Sequence, residues 1–201
     1  MSEQDYLKDI SEIKELMNRS SRFISLSGLS GVFAGIYALI GAAVAYWLVS
    51  ISGREYLILD GHVFRLILLD LFLVAFLSVV TAIYFTTKKA KKAGVRMWDA
   101  STRRLLINFL IPLVAGGAYI LIILNQQKYG QTGALMLIFY GLALINASKY
   151  TVGNIRYLGI AEVVLGIICA MLPGYGFWLW VIGFGVFHIV YGSMIWIQDK
   201  K

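Results

Sequence analysis

The sequence predicts an all-α integral membrane bundle of six helices, and three observations carry that expectation. Hydrophobic residues make up 59% of the 201 residues and charged residues only 14%, too few to cover a soluble domain of this length. Mean hydropathy is +0.76, and several apolar runs approach or exceed the roughly 20 residues that cross a bilayer as a helix. Lys and Arg gather beside the ends of alternate runs, which is how a multi-pass chain fixes its orientation.

The first element is amphipathic. Over 3–19, Tyr6, Ile10, Ile13 and Met17 share one helical face, with Leu7 and Leu16 beside them and charge opposite. Ser2 with Asp5 adds a weak capping signal. Residues 1–21 are therefore expected to form a cytoplasmic amphipathic helix that lies on the bilayer, lies on the protein's own cytoplasmic face, or docks a partner. Residues 22–201 form the expected transmembrane domain. No apolar signal-peptide core opens the chain, so the first span is expected to act as its own insertion signal.

Six spans follow, near 24–50, 63–86, 105–124, 132–148, 155–172 and 176–197. SISGRE, NQQKYGQTG and PGYG supply the Gly, Pro and polar residues of turns between them. Of the 18 Lys and Arg, only Arg54, Arg65 and Lys128 fall on one side of this arrangement. The rest fall on the other, which is expected to be the cytoplasm, with both termini there and the chain in the cell (inner) membrane. The densest group is KKAKKAGVRMWDASTRR, expected as a loop over 87–104. Lys88, Lys89, Lys91 and Lys92 are its candidates for anionic lipid headgroups.

Composition also excludes chemistry. The net charge of +7 comes without aromatic or Gly-rich nucleic-acid motifs, so no nucleic acid is expected as a partner. The single cysteine, Cys169, rules out an intrachain disulfide and a thiolate cluster. His62 and His188 differ too much in depth to share a haem or metal. His188 with Glu162 lacks a third zinc ligand. There is no H-E-x-x-H, Walker loop or G-x-S-x-G. No enzyme, catalytic residue, metal or cofactor is expected.

What remains is a glycine pattern. GIAEVVLG at 159–166 and GVFHIVYG at 185–192 each carry a glycine, an ionisable residue three places on, and a second glycine four places later. GLSGVFAG at 28–35 repeats the spacing with glycine at all three positions. Such spacing lines one helical face with small residues, and small faces let helices pack closely in lipid. Gly28, Gly31, Gly35, Gly159, Gly166, Gly185 and Gly192 are thus expected helix contacts. Glu162 and His188 should face inward with them, because lipid exposure of an ionisable group costs several kcal/mol.

Glu162 and His188 also lie at similar distances from the PGYG turn at 173–176. An antiparallel hairpin could therefore bring them into contact in the cytoplasmic half of the membrane. Asn108, Asn146, Ser148, Tyr157 and Tyr191 are expected at related depth. Asp70, in LILLDLFLV, is the third ionisable group inside a span, with Arg65, Lys128 or Arg54 as expected ion-pair partners. The candidates for proton-responsive or substrate contact are Glu162, His188, Asp70, Asn108 and Asn146.

The stretches SRFISLSGLSGVFAGIYALIGA (21–42) and NIRYLGIAEVVLGIICAMLPGYGFWLWVIGFGVFHIVYG (154–192) resemble a family of uncharacterised bacterial six-span membrane proteins. The resemblance covers the first span and last hairpin, and the middle less distinctively. It implies fold and location, and no activity.

Two functions fit these readings. One is a small-solute or proton-linked transporter or channel that uses the Glu162–His188 pair. The other is a non-transporting sensor, assembly factor or accessory subunit in which the pair is structural. A water-filled path from Glu162 toward the outer face favours the first, and tight packing favours the second. The expected partners are the lipid bilayer and its anionic headgroups, with a second copy or a membrane partner protein left open.

Overall fold

The computed structural model describes residues 27–52, 61–94, 98–151 and 154–199. Among them the chain is helical, with no strand. The expected helix over 3–19 lies outside the described residues.

The main helices are α1 (Gly28–Ile51), α2 (His62–Lys92), α3 (Ala100–Asn125), α4 (Thr132–Ala147), α5 (Ile155–Met171) and α6 (Gly176–Gln198). Short 3-10 turns flank α4 at Tyr129–Gln131 and Ser148–Tyr150. Among the described residues, five helices are long and apolar enough to cross a membrane: α1, α2, α3, α6, and α4 with its flanking turns. The sixth, α5, has 17 residues.

The expected 87–104 loop is shorter than the sequence suggested. α2 runs on through Lys92, and α3 starts at Ala100. The reason is local. Lysine and alanine are good helix formers, and cations at a helix C-terminus complement its dipole. Gly94, with φ of 68°, closes α2 in the left-handed conformation that favours glycine. Asp99 then caps α3 by accepting from the Thr102 backbone N–H at 2.7 Å. Lys88, Lys89, Lys91 and Lys92 therefore belong to the end of a helix.

The helices form two antiparallel groups of three. In the first, α1 packs between α2 and α6. Phe33 stacks on Phe85 with centroids 5.5 Å apart, and the Tyr37 and Thr81 hydroxyls meet at 3.3 Å. In the second, α4 packs between α3 and α5. α6 joins the groups, because its first half also meets α4 and α5. The outer helices have little cover: none of the most apolar stretch of α2 is buried inside the protein.

The glycine stripes are the tight contacts. A Cβ at Gly141 would lie 2.5 Å from the Gly159 carbonyl oxygen, and one at Gly159 would lie 2.7 Å from that of Gly141. Gly166 rests against Ile138 and Ala134 of α4. On the other side, Gly28 and Gly31 rest against Gly192 and its neighbours, and Gly35 against Gly185 and Ile189. The two ionisable-bearing stripes thus face different helices, α5 onto α4 and α6 onto α1. They do not face each other across a closely packed final hairpin.

A further polar contact repairs the backbone. Pro112 lies inside α3. Lacking an N–H, it leaves the carbonyl four residues back, that of Asn108, without its helical partner. The Asn146 side-chain amide of α4 donates to that oxygen at 2.8 Å. The Asn108 amide donates to the Arg104 carbonyl at 2.8 Å.

Candidate functional site

The site lies where α6 crosses from one group of helices to the other. Residues Val181–Phe187 of α6 form a π-helical segment between two α-helical stretches. Such wide turns are rare and recur at functional positions. The one here lets the His188 ring reach back: Nδ1 lies 3.0 Å from the Gly183 carbonyl oxygen. A carbonyl only accepts, so Nδ1 carries the hydrogen. The other ring nitrogen, Nε2, lies 2.8 Å from the Tyr140 hydroxyl of α4. In the neutral ring Nε2 accepts from Tyr140. In the imidazolium its N–H donates to the Tyr140 oxygen.

Glu162 meets this arrangement from α5. Its Oε1 lies 3.5 Å from His188 Nδ1, within ion-pair range and long for a hydrogen bond. Glu162 has 0% relative exposure and His188 6%. Neither Glu162 oxygen has a hydrogen-bond partner. A Cβ at Gly183 would lie 2.6 Å from Oε2 and would also meet the Leu137 and Leu165 side chains. The bare backbone at Gly183 thus makes the space that the carboxyl occupies.

Aromatic rings close the rest of the shell. Phe184 stacks on the His188 ring at 5.9 Å between centroids, and Tyr140 lies at 5.4 Å. Trp180 packs on Phe184 and Phe109 on Tyr140. Two further donors in this region, the Tyr191 hydroxyl and Trp180 Nε1, are buried without a hydrogen-bond partner. Buried polar groups are ordinarily paired, so this concentration of unmet valence is unusual for a packed interior.

The group can hold a proton in two ways. Either Glu162 is a carboxylic acid beside a neutral imidazole, or it is a carboxylate beside an imidazolium whose Nε2–H points to Tyr140. Each form avoids a lone buried charge, which is costly. The two forms carry the same number of protons, and conversion of one into the other takes a proton from Glu162 and places one on Nε2, because Nδ1 already carries its hydrogen. Among the described residues no group of three His, Cys, Asp or Glu side chains could hold a metal ion.

The other sequence candidates lie elsewhere. Asn108 and Asn146 are brought together, as the backbone repair at Pro112. Asp70 of α2 lies against Gly41 of α1, where an added Cβ would be 3.1 Å from Oδ2. Among the described residues Asp70 has no ion-pair partner: neither Arg65 nor Lys128 reaches it, and Arg54 lies outside the described residues. Tyr157, expected at the same depth, is 68% exposed. Ser148 donates to the Ile145 carbonyl of its own helix at 2.6 Å. Of the four lysines, Lys89 makes an ion pair with Asp199 at 2.8 Å. Lys88, Lys91 and Lys92 remain exposed at the end of α2.

Comparison with protein-family models, curated proteins and solved structures finds no match. Function has to be argued from the site itself. Sequence reasoning missed Tyr140 and Gly183. The signal for α4 was present in Ala134 and Gly141, small residues seven apart on the face that meets α5. Nothing in the sequence announces the π segment, which brings the Gly183 carbonyl to the ring.

Proposed function

We propose that this chain is a multi-pass inner-membrane protein that couples proton binding at Glu162–His188–Tyr140 to movement between its two helix groups, in the service of proton-linked transport of a small solute. The membrane part of this reading is supported by the uncovered apolar helices. Aromatic residues at both ends add to it, as expected at the two membrane–water interfaces. Trp47, Tyr175 and Trp178 are exposed at one end, and Trp98 and Tyr157 at the other. All six helices then span. At about 1.5 Å per residue α5 is roughly 25 Å long, at the short limit for a bilayer core. The Lys89–Asp199 ion pair favours a common side for the 93–99 connection and the end of α6. The basic residues assign that side to the cytoplasm.

One observation carries the functional part: a fully buried carboxyl with no hydrogen-bond donor, set where the two helix groups meet. A purely structural carboxyl would be expected to have its oxygens satisfied. Ionisable groups inside membrane spans are functional by default. A second reading keeps one observation in its favour. Glu162 is sealed by its neighbours, which suits a sensor or accessory subunit whose helix groups shift without opening a path.

Proteoliposomes carrying a pH-sensitive dye separate the two readings. The transport reading expects an acid-driven proton flux above that of empty liposomes, lost in Glu162→Gln and partly kept in Glu162→Asp. No flux in the wild type, or equal flux in Glu162→Gln, would leave the sensor or accessory reading.

A further inference from the structure

The end of α2 has two faces. Thr86 and Ala90 are buried, and Lys89, near them around the helix, is tied to Asp199 of α6. Another face is open and is lined by Val80, Ile83, Tyr84, Thr87, Lys88 and Lys91. These positions recur at helical spacing, so they form one stripe. Its first part is apolar and exposed, with Ile83 at 58% and Tyr84 at 61%. Its last part is two lysines that have no ion-pair partner among the described residues.

We propose that this stripe holds one anionic phospholipid, with its phosphate between Lys88 and Lys91 and an acyl chain along Val80, Ile83 and Tyr84. The inference rests on the membrane reading above and is independent of the proton reading. Charge complementarity selects the occupant. An apolar floor running into two exposed cations matches an acyl chain joined to an anionic headgroup, in the order and direction a cytoplasmic-leaflet lipid would present them. The ion pair of Lys89 with Asp199 holds the helix end so that Lys88 and Lys91 face outward together. A diffuse basic cluster would use all four lysines alike. This geometry uses two, and assigns Lys89 to holding the helix.

The test is lipid retention in nanodiscs of phosphatidylcholine with a minor fraction of phosphatidylglycerol, read by native mass spectrometry after release. The wild type should retain phosphatidylglycerol selectively. Each of Lys88→Gln and Lys91→Gln should weaken retention about fivefold, the size expected for one surface lysine. The charge-matched controls Lys92→Gln and Arg104→Gln should change it little. Ile83→Ser should weaken it too, and excess free glycerol 3-phosphate should not displace the lipid. Equal losses in the lysine variants and the controls would overturn the site in favour of diffuse surface charge, as would unselective retention by the wild type. Failure to enter discs of either composition would overturn the membrane reading and this inference with it. A wild-type proton flux is irrelevant to either outcome.

Discussion

The α4–α5 and α1–α6 seams are built from the same glycine pattern, yet they treat their ionisable residue differently. In α5 the helix is regular, both glycines press on α4, and Glu162 is fully buried. In α6 the π segment intervenes before His188. Gly192 still presses on the backbone of α1, whereas an added Cβ at Gly185 meets only the Leu39 side chain. His188 turns away from α1 to Tyr140 and Glu162. A small-residue stripe therefore fixes which helix is close, and does not by itself fix where the ionisable residue among the glycines will point.

That contrast sets the largest expected effect. Gly141→Leu and Gly192→Leu each force two backbones apart, and each should cost about 3 kcal/mol or more, the upper end for overpacking. Gly185→Ala, which meets a movable side chain, should cost distinctly less than Gly192→Ala. Thermal denaturation in detergent orders these variants. A Gly185→Ala effect equal to that of Gly192→Ala would erase the distinction between the two seams.

Gly183→Ala comes next. Its methyl would meet both the Leu137 side chain and the Glu162 carboxyl, so a loss of about 1–3 kcal/mol is expected. Glu162→Ala should relieve part of it. The double-mutant cycle measures that coupling, and strict additivity would mean that Glu162 does not rest on Gly183.

Asn146→Leu should cost about 1–2 kcal/mol, because it leaves the Asn108 carbonyl without a donor. Adding Pro112→Ala, which restores a backbone N–H, should recover most of the loss. No recovery would show that Asn146 acts in some other way than by repairing α3.

The smallest effect is at the exposed end. Lys89→Gln should cost under about 1 kcal/mol, the usual scale for a half-exposed ion pair. A larger loss in low-salt detergent would make the α2–α6 latch a main support of the fold.

Much of this architecture was legible in the residues. Apolar run lengths marked the helices, and the spacing of Gly28, Gly31, Gly159 and Gly192 marked close faces, because both follow from local periodicity. The partners of those faces were not legible, since periodicity says which side of a helix is small and not which helix meets it. The reach from α6 to α5 was anticipated from matched depth, and Glu162 and His188 do meet, although α5 touches mainly the first half of α6. α4 adds Tyr140 on His188. Asn146 was read as a candidate contact from its depth. Its task follows from Pro112, a residue on another helix whose missing N–H only the assembled pair explains. The helical course of Lys88 to Lys92 was masked by charge, which reads as a loop although lysine and alanine favour helix.

The central claim is that Glu162 gains and loses a proton inside the bundle together with His188. Infrared difference spectroscopy of the protein in nanodiscs, stepped across pH, reads it directly through the carboxylic acid C=O band. The account predicts a protonated-carboxyl band that changes with pH, is absent in Glu162→Gln, and shifts in frequency in Tyr140→Phe. A band that stays constant across the range, or that persists unchanged in Glu162→Gln, would contradict it.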